Sequence, residues 1–351
     1  MIGIHSDKYD NNAHFVSRYV KILEFNNIEY CILDISQADF WSKVTELDIF
    51  IFRWHHTDYH HQIAKSILPV IQNEIGVKCF PDLKTCWHFD DKICQFYLMK
   101  HYNYPYTQSW IFWDKELALQ WVLTAEYPIV FKLKGGAGST NVSLVRTVTE
   151  AISAVNKMFS TGLKSGGGAF FSSARWKDFN VSGEIRKLSR LGIQKLKSEC
   201  DYSSSSSVHK NYILFQEFLP NNSYDTRVTI IGDRAFAFRR FNRDNDFRSS
   251  GSGKISYDLS AIDLVFIKKA FQISKKLGFQ SMAYDFLYGK EGEAQFCEIS
   301  YTYSDGAIYN CAGYWDSSLV WHEGHYWPEY CHLMDLLETQ NLNQPDLIVM
   351  K

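Results

Sequence analysis

Residues 127–145 read YPIVFKLKGGAGSTNVSLV, an apolar strand bearing Lys132, a glycine-rich turn and a second apolar strand. This segment narrows the fold most. In a Walker phosphate loop the glycines lead into a helix and end in Gly-Lys-Ser/Thr. Here a strand follows them, so the Walker reading is excluded. Lys132 alternates with Val130 and Lys134 on one strand face, which sets a lysine on a sheet beside the turn. Gly135, Gly136 and Gly138 let backbone amides approach phosphate oxygens, and Ser139 and Thr140 add hydroxyls.

The frame around this unit is α/β. Short β-branched or aromatic runs at 2–5, 29–34, 48–53 and 77–80 alternate with helical patterns, predicting a parallel unit at the amino end. Within it, Phe15, Val16, Tyr19, Ile22 and Leu23 mark one helix face in Ala13 to Phe25. At 351 residues, two or three subdomains are expected. We place them at 1–84, 85–213 and 214–351. Ligands of open α/β sheets sit beyond the carboxyl ends of strands, so Arg53 is placed to meet an anionic substrate. The following histidines, His55, His56, His60 and His61, have no cysteine or clustered carboxylate beside them. They read as a solvated loop running into a helix near Tyr59, and no metal is assigned to them.

A net charge of −2 argues against a general nucleic-acid binder. No signal-like segment opens the chain, and no run reaches the roughly 18 apolar residues of a membrane span. The eight cysteines lack C-x-x-C pairing and read as reduced thiols of a cytoplasmic protein.

Between Ser160 and Asn211 the composition turns to glycine and serine, with a basic stretch from Gly183 to Cys200. This reads as a mobile insertion, either a solvated excursion or a lid. Apolar strands resume at 212–218, 227–231 and 235–239, followed by a helix from Ile262 to Leu277 and strands at 282–287 and 295–299. Asp285 and Glu298 lie in the last two strands, joined by a hairpin through Gly289 and Gly292. Both acids are embedded in apolar runs, where an unpartnered charge is disfavoured, and a cation between them would relieve their repulsion.

The ordered set DDK, VFKLKGGAGSTNV, FQEFLP, YDTRVTIIGDRAFAFRR, DFRSSGSG, YDFL and CEIS resembles the ATP-grasp superfamily, specifically its RimK-type and glutathione-synthetase-like carboxylate–amine ligases. The likeness covers residues 85–304. It implies an α/β pre-ATP-grasp unit followed by two ATP-grasp subdomains clasping ATP. It also implies that Lys92 and Lys132 bind phosphates, that loop 135–140 closes over them, and that Gln216, Glu217, Phe218 and Leu219 read adenine. Asp225 and Arg227 resemble the D-x-R pair, and Arg239 and Arg248 match arginines beside the transferred phosphoryl group and the reacting carboxylate. Asp285, Glu298 and Ser300 would hold magnesium, with manganese as an alternative. Serines stand at 300 and 250, where the family carries asparagine.

The resemblance implies ATP-driven joining of a small-molecule carboxylate and an amine. A sugar-bearing acid suits the aromatic region 301–330, an amino acid is the alternative substrate, and a homodimer is left open. A kinase on the same fold and a nucleotide-binding module without catalysis are the competing readings.

Overall fold

The computed structural model describes residues 1–6, 14–54, 56–136, 141–165 and 208–346. It divides into two compact units, Met1–His55 with His60–Thr107 and Leu219–Lys351, and His56–Tyr59 with Gln108–Phe218.

In chain order the first unit opens with β1 (Ile2–His5), α1 (His14–Phe25), β2 (Tyr30–Leu33), α2 (Phe40–Val44), β3 (Ile49–Ile51), α3 (Asp58–Pro69) and β4 (Lys78–Phe80). The four strands form a parallel sheet in the order β2-β1-β3-β4. Every residue of β1 and β3 is buried, as expected of a parallel sheet covered on both faces. The predicted apolar stripe of α1 packs through Phe15, Tyr19, Ile22 and Leu23 into a core with Ile4, Ile51 and Trp327. Two short helices follow, α4 (Leu83–Cys86) and α5 (Lys92–His101).

The second unit holds β5 (Ser109–Phe112), α6 (Lys115–Val122), β6 (Ile129–Lys132), β7 (Val142–Val145), α7 (Val148–Met158), β8 (Leu163–Lys164), β9 (Val208–His209) and β10 (Ile213–Glu217). Its main sheet is antiparallel, in the order β5-β10-β6-β7. Phe215 at its centre stacks on Trp121 at 5.5 Å.

The first unit resumes with β11 (Tyr224–Ile231), β12 (Arg234–Phe241), β13 (Ile255–Ser256), α8 (Leu264–Leu277), β14 (Ser281–Tyr288), β15 (Ala294–Ser300), α9 (Asp305–Tyr309), β16 (Gly313–Asp316), β17 (Trp321–Glu323) and α10 (Pro328–Leu336). The sheet runs β15-β14-β11-β12-β16-β17, with β13 also on β12. Alternation gives it two characters. Val228, Ile230, Ala237, Tyr284 and Phe286 pack with Phe266 and Ala270 of α8, while Ile231, Phe236, Phe238 and Ala283 pack with Ile308 and Cys331.

A buried ionic knot ties α1 and the residues after β3 to the carboxyl-terminal helices. Asp305 accepts from Arg18 Nη1 at 2.8 Å and from Arg53 Nη1 at 2.7 Å, and Glu329 lies 3.2 Å from Arg18. Arg53 is therefore held by Asp305 and by the Tyr303 carbonyl, at 2.8 Å.

Candidate active site

The DDK motif builds one half of the candidate site. Asp91 is the N-cap of α5, its carboxylate accepting from the amides of Ile93 and Cys94, so Lys92 enters the helix at its first position. The side chain is buried and reaches Glu298 of β15, with Nζ 3.2 Å from Oε1. Burial works against the lysine's charge, but the Glu298 and Asp90 carboxylates outweigh it, so the pKa is raised.

The other half lies on β11, β12 and β14. Residues 232 and 233 form a two-residue turn between β11 and β12, with Gly232 at φ 56 and Ile231 paired to Arg234. A Cβ at Gly232 would stand 2.3 Å from the Asp335 carboxylate. That turn fixes the register, which sets Asp225 opposite Arg240 and Arg227 opposite Phe238. On its other side Arg227 pairs with Asp285. The result is a buried quartet. Arg227 grips Asp285 through Nε at 2.7 Å and Nη2 at 2.8 Å. Arg240 grips Asp225 through Nε at 2.7 Å and Nη2 at 2.6 Å, and the same Nη2 lies 2.7 Å from Asp285 Oδ2. Burial alone would raise the Asp285 pKa. The two guanidiniums reverse this and hold the carboxyl well below the usual carboxylate range.

β14 and β15 form the expected hairpin, with Gly292 at φ 81 in its turn. Pairing shifts between Tyr284↔Ile299 and Phe286↔Phe296, so Asp285 faces both Cys297 and Glu298 across a bulge. Bulges re-aim side chains, and this one lies where the two acids approach. Ser300 is opposite Ala283, and its hydroxyl bonds locally to the Thr302 carbonyl at 2.9 Å.

The remaining predicted residues are distributed as follows. Arg239 pairs with Thr226 and stacks over Tyr224 at 4.3 Å, which sets it on the sheet face opposite to Arg227. Arg248 is bound to Asp246, with Nε 2.9 Å from Oδ2. Leu219 is buried in the first unit. In the second unit, Lys132 is buried on β6 opposite Leu214 and Val142. Gly136 has φ 106, and a Cβ there would meet Asn141 Nδ2 at 1.9 Å. The same Asn141 nitrogen donates to the Gly135 carbonyl at 2.9 Å. Buried Gln216 donates to the Ser109 hydroxyl at 3.1 Å, and the Glu217 amide bonds to the Gln108 carbonyl. Phe218 closes the second unit in sequence. Gly138, Ser139, Thr140, His55 and the basic stretch from Gly183 to Cys200 lie outside the described residues. Of the other histidines, His60 is buried and His61 stacks on Phe89 at 5.4 Å.

Arg240 is the functional candidate that sequence reading passed over. Its signal was present in the Gly232–Asp233 turn, because a two-residue turn alone sets Asp225 across from Arg240.

A parallel α/β sheet, an antiparallel sheet with a lysine beside a glycine turn, and a hairpin sheet carrying paired cations and acids define a mixed α/β class. Solved structures agree. The ATP-grasp ligase PsnB complexed with minimal precursor superposes with a TM-score of 0.56 at 13% identity, over 96% of this chain and 98% of that one. D-cycloserine synthetase DcsG gives 0.54 at 13%, covering 87% and 95%. D-alanine–D-alanine ligase from Bacillus anthracis gives 0.53 at 11%, covering 86% of each chain. The chain has the ATP-grasp fold. No protein-family profile matches the sequence, and no curated protein matches it. No described helix is long and apolar enough to cross a membrane.

Proposed function

We propose that the chain is an ATP-dependent carboxylate–amine ligase that forms an amide or peptide-like bond through an acyl phosphate, releasing ADP and phosphate. The observation that carries this reading is the set of cation–carboxylate pairs, Lys92–Glu298 and Arg227–Asp285, whose acids lie on adjoining strands of an ATP-grasp fold. The solved neighbours favour it, since the three are described as two ligases and a synthetase. The acid is a sugar-bearing or amino acid.

The residues fit magnesium and nucleotide phosphate. Among the described residues no group of three His, Cys, Asp or Glu side chains could hold an ion alone. Magnesium is commonly held by one or two carboxylates with substrate phosphates and water completing the shell, and Glu298, Asp285 and the Ser300 hydroxyl offer such oxygens on neighbouring strands. When bound, the ion would neutralise charge between these acids and the phosphates. Lys92 and Lys132 supply cations for phosphate, Gln216 to Leu219 the adenine contacts, and Gly135 and Gly136 backbone amides for phosphate oxygens. Asp225 steadies Arg240 on its sheet face. Arg227 and Arg248 are assigned to the charge that develops on phosphoryl and acyl oxygens, whereas Arg239, expected to share that role, lies on the opposite sheet face and is left without it.

The test is ADP release with magnesium and ATP over a panel of acids and amines. A ligase releases ADP in amounts that depend on both partners. ADP release without amine, together with a stable phosphorylated product, would establish a kinase instead. Nucleotide binding without turnover across the panel would leave only a binding module.

A further inference from the structure

We infer that Arg240, braced by Asp225, is the fixed positioning residue of Asp285, and that Arg227 is the arginine that changes partner when magnesium and nucleotide bind. This rests on the proposed role of Asp285 as a magnesium ligand.

The two arginines are held unequally. Arg240 spends Nε and Nη2 on both Asp225 oxygens, and Nη2 also reaches Asp285 Oδ2. Turning it away would break three contacts to two partners. Arg227 makes two contacts, both to Asp285. Exposure follows the same order, since the Arg240, Asp225 and Asp285 side chains are 8%, 10% and 7% exposed and Arg227 is 17% exposed. Arg227 is thus the member nearest solvent.

The contacts also differ by oxygen. Among the described residues, Oδ2 of Asp285 receives Nη2 of both arginines, whereas Oδ1 receives only Nε of Arg227. If Arg227 turns to a phosphate or acyl oxygen, Oδ1 is freed while Arg240 still holds Oδ2. One carboxylate oxygen is then presented in a fixed direction, the arrangement by which outer residues orient metal ligands. The charges remain compensated, because the quartet of two arginines and two aspartates loses one positive contact where a cation is gained. A lysine at 240 cannot replace this fork, since one ammonium lacks the planar donors that span two carboxylates.

The test is calorimetric binding of a non-hydrolysable ATP analogue over a magnesium series, with melting temperatures to confirm folding. Arg240→Met should raise the magnesium concentration for half-maximal binding by about ten- to a hundredfold. Arg240→Lys should recover little of this, and Asp225→Asn should act in the same direction without adding to Arg240→Met. Arg227→Met should weaken analogue binding at saturating magnesium but raise the magnesium requirement less than Arg240→Met does, because Arg227 leaves Asp285 when the nucleotide binds. If Arg240→Met does not fold, Arg240→Lys and Asp225→Asn decide. An unchanged magnesium requirement in the folded variants, or an equal shift in Arg227→Met, overturns the inference while the ligase reading stands. Failure of the unaltered protein to bind the analogue at any magnesium concentration removes both.

Discussion

Lys92 of α5 and Glu298 of β15 form an ion pair with Nζ 3.2 Å from Oε1, the lysine side chain 4% and the glutamate 33% exposed. The lysine is fixed by the cap at Asp91, and the glutamate is re-aimed by the bulge opposite Asp285. On the proposed role of Lys92 at the nucleotide phosphates, Lys92→Met should weaken nucleotide binding by about 2 kcal/mol, about thirtyfold, the worth of one charged hydrogen bond. The melting temperature should change little, since Glu298 is left partly in water. Calorimetry with a non-hydrolysable ATP analogue checks it, and unchanged affinity in the folded variant removes Lys92 from the site.

Much of this site is legible in the sequence. The acids of YDFL and CEIS announce a hairpin by their turn glycines, and that hairpin forms between β14 and β15. The run DDKICQFYLMK from Asp90 to Lys100 has a helical pattern, and α5 forms over Lys92–His101, its cap at Asp91 being a finding of the structure. Ion-pair partners were not legible, because they depend on register and on contacts far apart in sequence. Which arginine of the Arg239–Arg240 pair shares a face with Arg227 follows from one turn of two residues. The grip of Asp305 on Arg18 and Arg53 spans more than 250 residues and has no local signature. Arg53 was expected to face substrate, and its guanidinium is instead bound to Asp305 and a carbonyl.

That knot should matter for stability. Asp305→Asn removes the charge that Arg18 and Arg53 share, leaving two buried guanidiniums with Glu329. Breaking a buried ion pair from one side costs about 3–5 kcal/mol. Denaturant titration should register a loss of that order. A change below about 1 kcal/mol would mean that the arginines find other partners.

Acid should destabilise the first unit through His88. Burial pushes its imidazole down to about 4 from 6.5, and among the described residues neither ring nitrogen has a hydrogen-bond partner. The unfolded chain binds a proton at higher pH than the folded one does. Stability is thus fully present above 6.5 and falls as pH drops toward 4, by about 3 kcal/mol at most. His88→Phe should flatten this slope in denaturation midpoints between pH 7 and pH 5. An equally steep slope in that variant would assign the acid sensitivity to other groups.

Carboxylate activation itself is tested most directly by hydroxylamine trapping. An acyl phosphate is a reactive mixed anhydride that must be held from water until the amine arrives. Hydroxylamine is small and converts acyl phosphates to stable hydroxamates. With ATP, magnesium and the correct acid, the protein should yield hydroxamate together with ADP and phosphate, and Arg227→Met should suppress both. Production of ADP with a stable phosphorylated acceptor and no hydroxamate would contradict the ligase account.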